Sequence, residues 1–235
     1  MTRNIVIKLG GSLLFSEGGT INSQKITEFC NVIKQTKDYD SIVIVCGGGT
    51  VARQYIRAIR GSTENEVSCD LIGIDISRIN SRLISAELKE LAYPQVPTSF
   101  EELSLAILSN KIIVMGGLQP GQSTTSVAMT VAEYLKAEKL VILTDVAGIY
   151  DKDPNLHKDA KLFGTISYDS LQELILESSA DTQASAGEYR IFDAVSLQIL
   201  KRSGIKVIVT SGKTLTQFEK LWNNEKQFIG TTISK

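Results

Sequence analysis

Ile42-Val43-Ile44-Val45-Cys46-Gly47-Gly48-Gly49 is an apolar run that breaks into three glycines. The run has the composition of a strand buried on both faces. Three other stretches repeat the pattern. Ile5-Val6-Ile7-Lys8-Leu9 runs into Gly10-Gly11-Ser12, Ile112-Ile113-Val114-Met115 into Gly116-Gly117, and Leu140-Val141-Ile142-Leu143 into Thr144-Asp145. One glycine pair after a strand is an ordinary tight turn. Three of them line one edge of a sheet with bare backbone, whose N–H groups can cradle phosphate oxygens. One phosphate needs one such loop. Several suggest a polyphosphate donor held beside a second phosphorylated ligand.

Helical patterns fill the intervals. Ile26, Phe29, Cys30 and Ile33 recur at helical spacing and predict an amphipathic helix ending near residue 37. Thr50 can cap a short helix carrying Val51, Tyr55 and Ile59 inward. A longer helix is predicted over residues 70–91 with Leu71, Ile79 and Leu83 on its apolar side, and another over 100–108. Residues 124–137 follow the third glycine loop with Val127, Val131 and Leu135 at fourfold spacing. Two more helices fall at 171–176 and around Ile191, Val195 and Ile199; a strand at 206–209, a helix at 215–222 and a strand-like close at 229–233 complete the chain. Such alternation, with fully apolar strands, predicts an α/β fold: a mainly parallel central sheet covered by helices on both faces, a three-layer αβα sandwich. Ligands then bind outside the carboxyl ends of the strands, where all four clusters lie. The small, polar stretch from Ser178 to Gly187 is a candidate mobile loop. Residues 1–235 form one expected domain, with an approximate division at Ala137 into lobes 1–137 and 138–235.

Bulk properties narrow the chemistry. A formal net charge of −1 gives no reason to expect nucleic acid or an anionic membrane as partner, so any phosphate site must be local. Cys30, Cys46 and Cys69 are odd in number and lack metal-ligand spacing, which predicts buried free thiols in a reducing compartment. Strand-like sequence begins at Ile5, leaving no signal-peptide layout, and no apolar run approaches the roughly 20 residues of a membrane span. The expectation is a soluble cytoplasmic chain.

Gly47-Gly48-Gly49-Thr50-Val51-Ala52 fits the G-x-G-x-x-A dinucleotide fingerprint, with Asp70 about twenty positions on. That fingerprint, however, puts its acid at the end of the next strand. Residues 61–69 are polar and contain no strand, so the dehydrogenase reading is weak. Arg53, on the first turn after the triple glycine, is placed to join a helix N-terminus in holding phosphate. Lys8 lies inside an apolar strand, where an unpaired ammonium is expensive, and is better read as a charge that meets transferring phosphate oxygens. Leu118-Gln119-Pro120-Gly121-Gln122-Ser123-Thr124-Thr125 is a turn followed by hydroxyls at a helix start, compatible with capping and with anion binding. The stretch 144–154 is the most specific: Tyr150 can pack on a base and Asp153 can accept from ribose hydroxyls. His157 reads as solvated. The stripe of Arg78, Arg82 and Lys89 reads as a solvated helix face or a subunit contact.

Taken together, these motifs resemble the amino acid kinase superfamily over nearly the whole chain: Lys-x-Gly-Gly-Ser after the first strand, Gly-Gly-Gly-x-x-x-Arg, and T-D-V-A-G-I-Y-D-K-D-P. Within it, Asp70 with G-I-x-I-S-R-I-N-S, M-G-G-L-Q-P-G-Q-S-T-T, S-G-I-K-V-I-V and the terminal G-T-T-I-S resemble archaeal-type uridylate (UMP) kinases. The resemblance implies transfer of the ATP γ-phosphate to UMP, with Mg²⁺ accompanying the nucleotide and a homohexameric assembly. It assigns Lys8 to the transferring phosphoryl group. Gly11, Ser12, Gly49, Arg53, Thr144, Asp145, Tyr150 and Asp153 fall to ATP. Gly48, Asp70, Leu118, Gln119, Pro120, Gly121, Gln122, Ser123 and Thr124 fall to UMP. In one departure, Ser126 stands where many relatives carry an Asp after the paired threonines; Asp193 matches the family pattern and is the acid left to organise the catalytic groups. The alternatives are a kinase of the same superfamily acting on acetylglutamate, carbamate or isopentenyl phosphate, and a non-catalytic protein that stores nucleotide and oxyanions.

Overall fold

The computed structural model describes residues 3–16, 18–35, 38–179, 191–225 and 227–235. Beyond Ser179, the expected loop at 178–187 lies outside them. In chain order the elements are β1 (Asn4–Leu9), α1 (Ser23–Lys34), β2 (Ser41–Cys46), α2 (Gly49–Arg60), α3 (Glu66–Leu88), α4 (Phe100–Ile107), β3 (Ile113–Met115) and α5 (Thr124–Tyr134). The second half adds β4 (Lys139–Thr144), β5 (Thr165–Ser167), α6 (Tyr168–Ser179), α7 (Ala194–Ser203), β6 (Val207–Ser211), α8 (Thr216–Trp222) and β7 (Thr231–Ser234). The strands form one sheet in the order β3-β2-β1-β4-β6-β7-β5. Every neighbouring pair is parallel except β6 and β7.

Side-chain alternation along these strands builds two cores. Val6, Val43, Val45, Leu140, Ile142 and Val209 face one way, where they meet α4, α5, α6 and α7. Ile5, Ile7, Ile44, Val141, Leu143 and Ile208 face the other, where they meet α1, α8 and the end of α3. The sandwich expected from the apolar strands is therefore present, with both faces of the sheet dry. Among the described residues no helix is long and apolar enough to cross a membrane.

Several predicted details are corrected. α2 buries Ala52 and Ile56, whereas Tyr55 is exposed. α3 begins four residues before Asp70, capped by Asn65, and its buried face carries Ile74, Ser77, Asn80, Ser81 and Ile84; Leu71 and Ile79 point outward. α5 starts as expected, at a cap made by Ser123, but ends at Tyr134. Ile191 precedes α7 and Val195 is partly exposed, while Leu197, Ile199 and Leu200 supply its apolar face. β5, with one buried side chain in three residues, had no periodicity to reveal it.

Candidate active site

β1 lies inside the sheet between β2 and β4, and Lys8 pairs in register with Val45 of β2 and Ile142 of β4. The loops leaving β2 and β3 therefore open on one side of Lys8, and the loop leaving β4 on the other. Burial lowers the Lys8 ammonium to about 8, against the attraction of Asp145 and with a small push from Arg53. The neighbouring Cys46 thiol is pushed up to about 12 by its own burial and stays neutral. At neutral pH Lys8 is thus mostly the charged ammonium, half-buried at the end of its strand and drawn to the Asp145 carboxylate.

The first two glycine loops touch. A methyl group at Gly11 would sit 2.3 Å from the Gly49 nitrogen and 2.4 Å from the Gly47 carbonyl oxygen. Gly49 itself has φ of +68°, a conformation glycine adopts without strain. Gly10 donates its N–H to Leu143 O (2.9 Å) and Gly47 donates to Leu9 O (2.9 Å), so β2, β1 and β4 keep their pairing up to the breaks. Gly11 and Ser12 then enter a short 3₁₀ turn.

α3 braces the loops of β2 and β3. Asn80, buried, donates its Nδ2 to Gly47 O (2.8 Å) and Gly48 O (3.3 Å). Gly117 donates its N–H to Ser77 Oγ (2.7 Å). Arg78 donates Nε to Gly117 O (3.0 Å) and Nη2 to Leu118 O (3.2 Å), which corrects its reading as a merely solvated residue. Arg82 and Lys89 instead border a separate cavity of about 670 Å³ with Tyr93 and Glu102. Asp70 Oδ2 accepts from the Gly121 N–H (2.8 Å) and ties the tip of the third loop to α3.

These braces leave a cavity of about 180 Å³. Of the residues expected at the acceptor, Gly48, Asp70, Gln122, Ser123 and Thr124 line it; Leu118, Gln119, Pro120 and Gly121 do not. Leu118 packs against the core instead. Gly49 and Arg53, expected at the donor, also line this cavity. Arg53 is half-buried there and donates Nη2 to Thr50 Oγ1 (3.3 Å), while Gly49 abuts Gly11 and Ser12. Both residues therefore stand on the boundary between the acceptor cavity and the first loop.

A second cavity, of about 250 Å³, opens beyond β4. Tyr150 and Asp153 line it as expected, opposite Leu171, Leu174, Ile175, Ile191 and Phe192. This apolar wall suits a flat ring system, and its residues were read from the sequence only as helix core. The exposed Asp153 carboxylate is engaged by its own turn, accepting from the Asn155 N–H (2.8 Å). Thr144 is buried, donates Oγ1 to Asp145 (3.2 Å), and accepts from the Gly212 N–H (2.7 Å) at its carbonyl. Asp193 caps α7 in a reciprocal pair with Ser196 and accepts from the Ser126 hydroxyl of α5 at 2.8 and 3.0 Å. His157 is exposed.

Two cavities, one on each side of the strand that carries the half-buried Lys8 cation, could serve to move a phosphoryl group between two bound molecules, because such transfers need positioning and charge neutralisation above all. Comparison with known proteins agrees. The profile of the amino acid kinase family matches residues 3–211. A uridylate kinase of Methanocaldococcus jannaschii is 40% identical over 97% of this chain and 98% of its own length. One of Methanobrevibacter smithii is 39% identical with the same coverage. The crystal structure of uridylate kinase from Archaeoglobus fulgidus superposes with a TM-score of 0.83 at 31% identity, covering 98% of this chain and 99% of that one.

Proposed function

The chain belongs to the amino acid kinase family, and we propose on that premise that it transfers the γ-phosphate of ATP to UMP, giving UDP and ADP. The observation that carries the reading is the placement of Lys8 on β1, inside the sheet, with Asp70 and the acceptor cavity on the β2–β3 side and the Tyr150 cavity on the β4 side. UMP occupies the first. Its ribose hydroxyls meet Asp70, its base meets the third loop, and its 5′-phosphate lies against Gly48 and the start of α5. ATP occupies the second, with adenine on the apolar wall and its phosphates reaching Gly11, Ser12 and Thr144. A 5′-phosphate oxygen attacks the γ-phosphorus as the bond to the β-phosphate oxygen breaks, and ADP leaves with that bond's electron pair. Lys8 and Arg53 offset the charge of two phosphates brought together, and Asp145 keeps Lys8 protonated and aimed.

Among the described residues no group of three or more His, Cys, Asp or Glu is gathered as a metal site. A Mg²⁺ ion that arrives with ATP would take most of its ligands from phosphate and water. Asp145, which attracts the Lys8 charge, is the carboxylate that would join its shell, and the ion would supply further charge neutralisation. The homohexamer, the cytoplasmic setting and the division into an acceptor lobe (1–137) and a donor lobe (138–235) belong to this proposal as well.

The test is a panel of acceptors with Mg-ATP: UMP, CMP, dUMP, acetylglutamate and isopentenyl phosphate. UDP formation is expected to dominate, with dUMP poorer because Asp70 loses a ribose hydroxyl. Absence of UDP from folded protein would refute the reading, and turnover of another acceptor would redirect it.

A further inference from the structure

The Ser126–Asp193 contact joins the two halves of the site, and neither residue lines the acceptor or the donor cavity described above. Ser126 is fully buried in the first turn of α5, two residues after Thr124, which lines the acceptor cavity. Asp193 opens α7, one residue after Phe192, which lines the donor cavity. The hydroxyl of Ser126 reaches both carboxylate oxygens, Oδ1 at 2.8 Å and Oδ2 at 3.0 Å. Each partner is itself fixed. Ser126 donates its N–H to Ser123 Oγ (3.1 Å) and accepts from Thr130 Oγ1 at its carbonyl (2.9 Å). Asp193 accepts from the Ser196 N–H (2.7 Å) and donates its own N–H to Ser196 Oγ (2.9 Å). A hydrogen bond to an ionised acceptor is among the stronger kinds and strengthens away from water. This one connects the starts of two packed helices, each beside a different cavity.

We propose that Ser126 is a positioning residue that couples the donor and acceptor cavities, so that filling either one pre-orders the helix start bordering the other. The inference rests on the UMP kinase reading. A ligand in the acceptor cavity restrains Ser123 and Thr124, hence the first turn of α5 and the Ser126 hydroxyl. That hydroxyl holds the Asp193 carboxylate, which caps α7 and sets the position of Phe192 against the donor. Coupling of this kind is reciprocal: each ligand tightens the other by the same factor.

Calorimetric titration measures the factor directly, as UMP affinity with and without a saturating non-hydrolysable ATP analogue and Mg²⁺, then with the order of ligands reversed. In the unaltered chain the analogue is expected to tighten UMP about fivefold or more. In Ser126→Ala each ligand alone should bind close to its normal affinity while the coupling factor falls towards one. Loss of packing alone would weaken the ligands without abolishing their mutual effect. Thermal unfolding is read on the same samples. If Ser126→Ala fails to fold, Ser126→Cys, which keeps the shape and weakens the donor, carries the comparison. Coupling equal to that of the unaltered chain in a folded variant overturns the proposal, as does a factor of one in the unaltered chain. Failure of the unaltered chain to bind UMP at all would instead overturn the function reading beneath it.

Discussion

At the scale of single residues, Lys8 carries the sharpest expectations. Its ammonium is lowered to about 8 by burial, so the free protein loses this charge over a range where an exposed lysine keeps it. Activity depends on the protonated form, and kcat/KM for UMP should therefore fall as pH rises through about 8. Bound phosphates favour the ammonium and should move the basic limb of kcat to higher pH. Lys8→Arg, charged throughout, should lack that limb, and a profile unchanged from the normal one would rule out Lys8 as its source. Lys8→Ala should lower kcat by roughly a hundredfold or more while UMP still binds. Stability responds in the opposite sense. Because the folded pKa lies below the ordinary 10.5, the unfolded chain binds the proton more readily, and the Lys8 contribution to stability rises between about 8 and 10.5.

Among the elements, α3 contradicts the usual logic of an amphipathic helix. Its apolar Leu71 and Ile79 face outward, and polar Ser77, Asn80 and Ser81 are buried. The reason lies in what the helix touches: bare glycine backbone presents carbonyls and N–H groups that need partners, and α3 supplies them. A periodicity of apolar residues cannot register such a face, which is why Arg78 and Asn80 were passed over as site residues. Arg78→Ala removes two donors from the third loop and should raise KM for UMP about tenfold with kcat little changed. Equal losses with UMP and with ATP would deny the helix this local role. The strands were legible for the converse reason. β1, β2 and β3 are largely apolar on both faces and end in glycine, and β4 ends in Thr-Asp, so composition marks where they start and where they break. β5, three residues beside a return strand, offered neither signal. The cavity-lining residues were legible where glycine, hydroxyl and acid types coincide, as at Gly48, Asp70 and Thr124. The apolar wall at Leu171, Ile175 and Phe192 was not, because a hydrophobic side chain reads the same whether it faces a core or a base.

For the molecule as a whole, the site is a property of sheet order. Four loops converge because four parallel strands end at one edge, and they converge closely because Gly11 and Gly49 allow backbone to pack on backbone. Gly11→Ala would place a methyl within 2.3 Å of a main-chain nitrogen that has no rotamer to yield. Overpacking of this kind costs about 1–3 kcal/mol. For a chain of this length that corresponds to a fall in Tm of roughly 2–12 °C, with loss of activity larger than the loss of stability. Differential scanning calorimetry and turnover on the same sample check both, and an Ala variant with normal Tm and rate would show that the two loops can part without cost.

The same sheet order sets a timetable for the ribosome. β1 is the first strand to emerge, yet it lies inside the sheet, and one of its two neighbours is β4, ending at Thr144. Until that residue clears the exit tunnel, the nascent chain can hold at most β1, β2 and β3, with β1 as a largely apolar open edge. Such an edge is a template for pairing with other chains, and long-range strand pairing is intrinsically slow. The strand that bears Lys8 is therefore made before the other six of the sheet, yet its second side is covered only once β4 has followed. In the interval between those two events the open edge gives a growing copy of this chain a need for a chaperone's shelter.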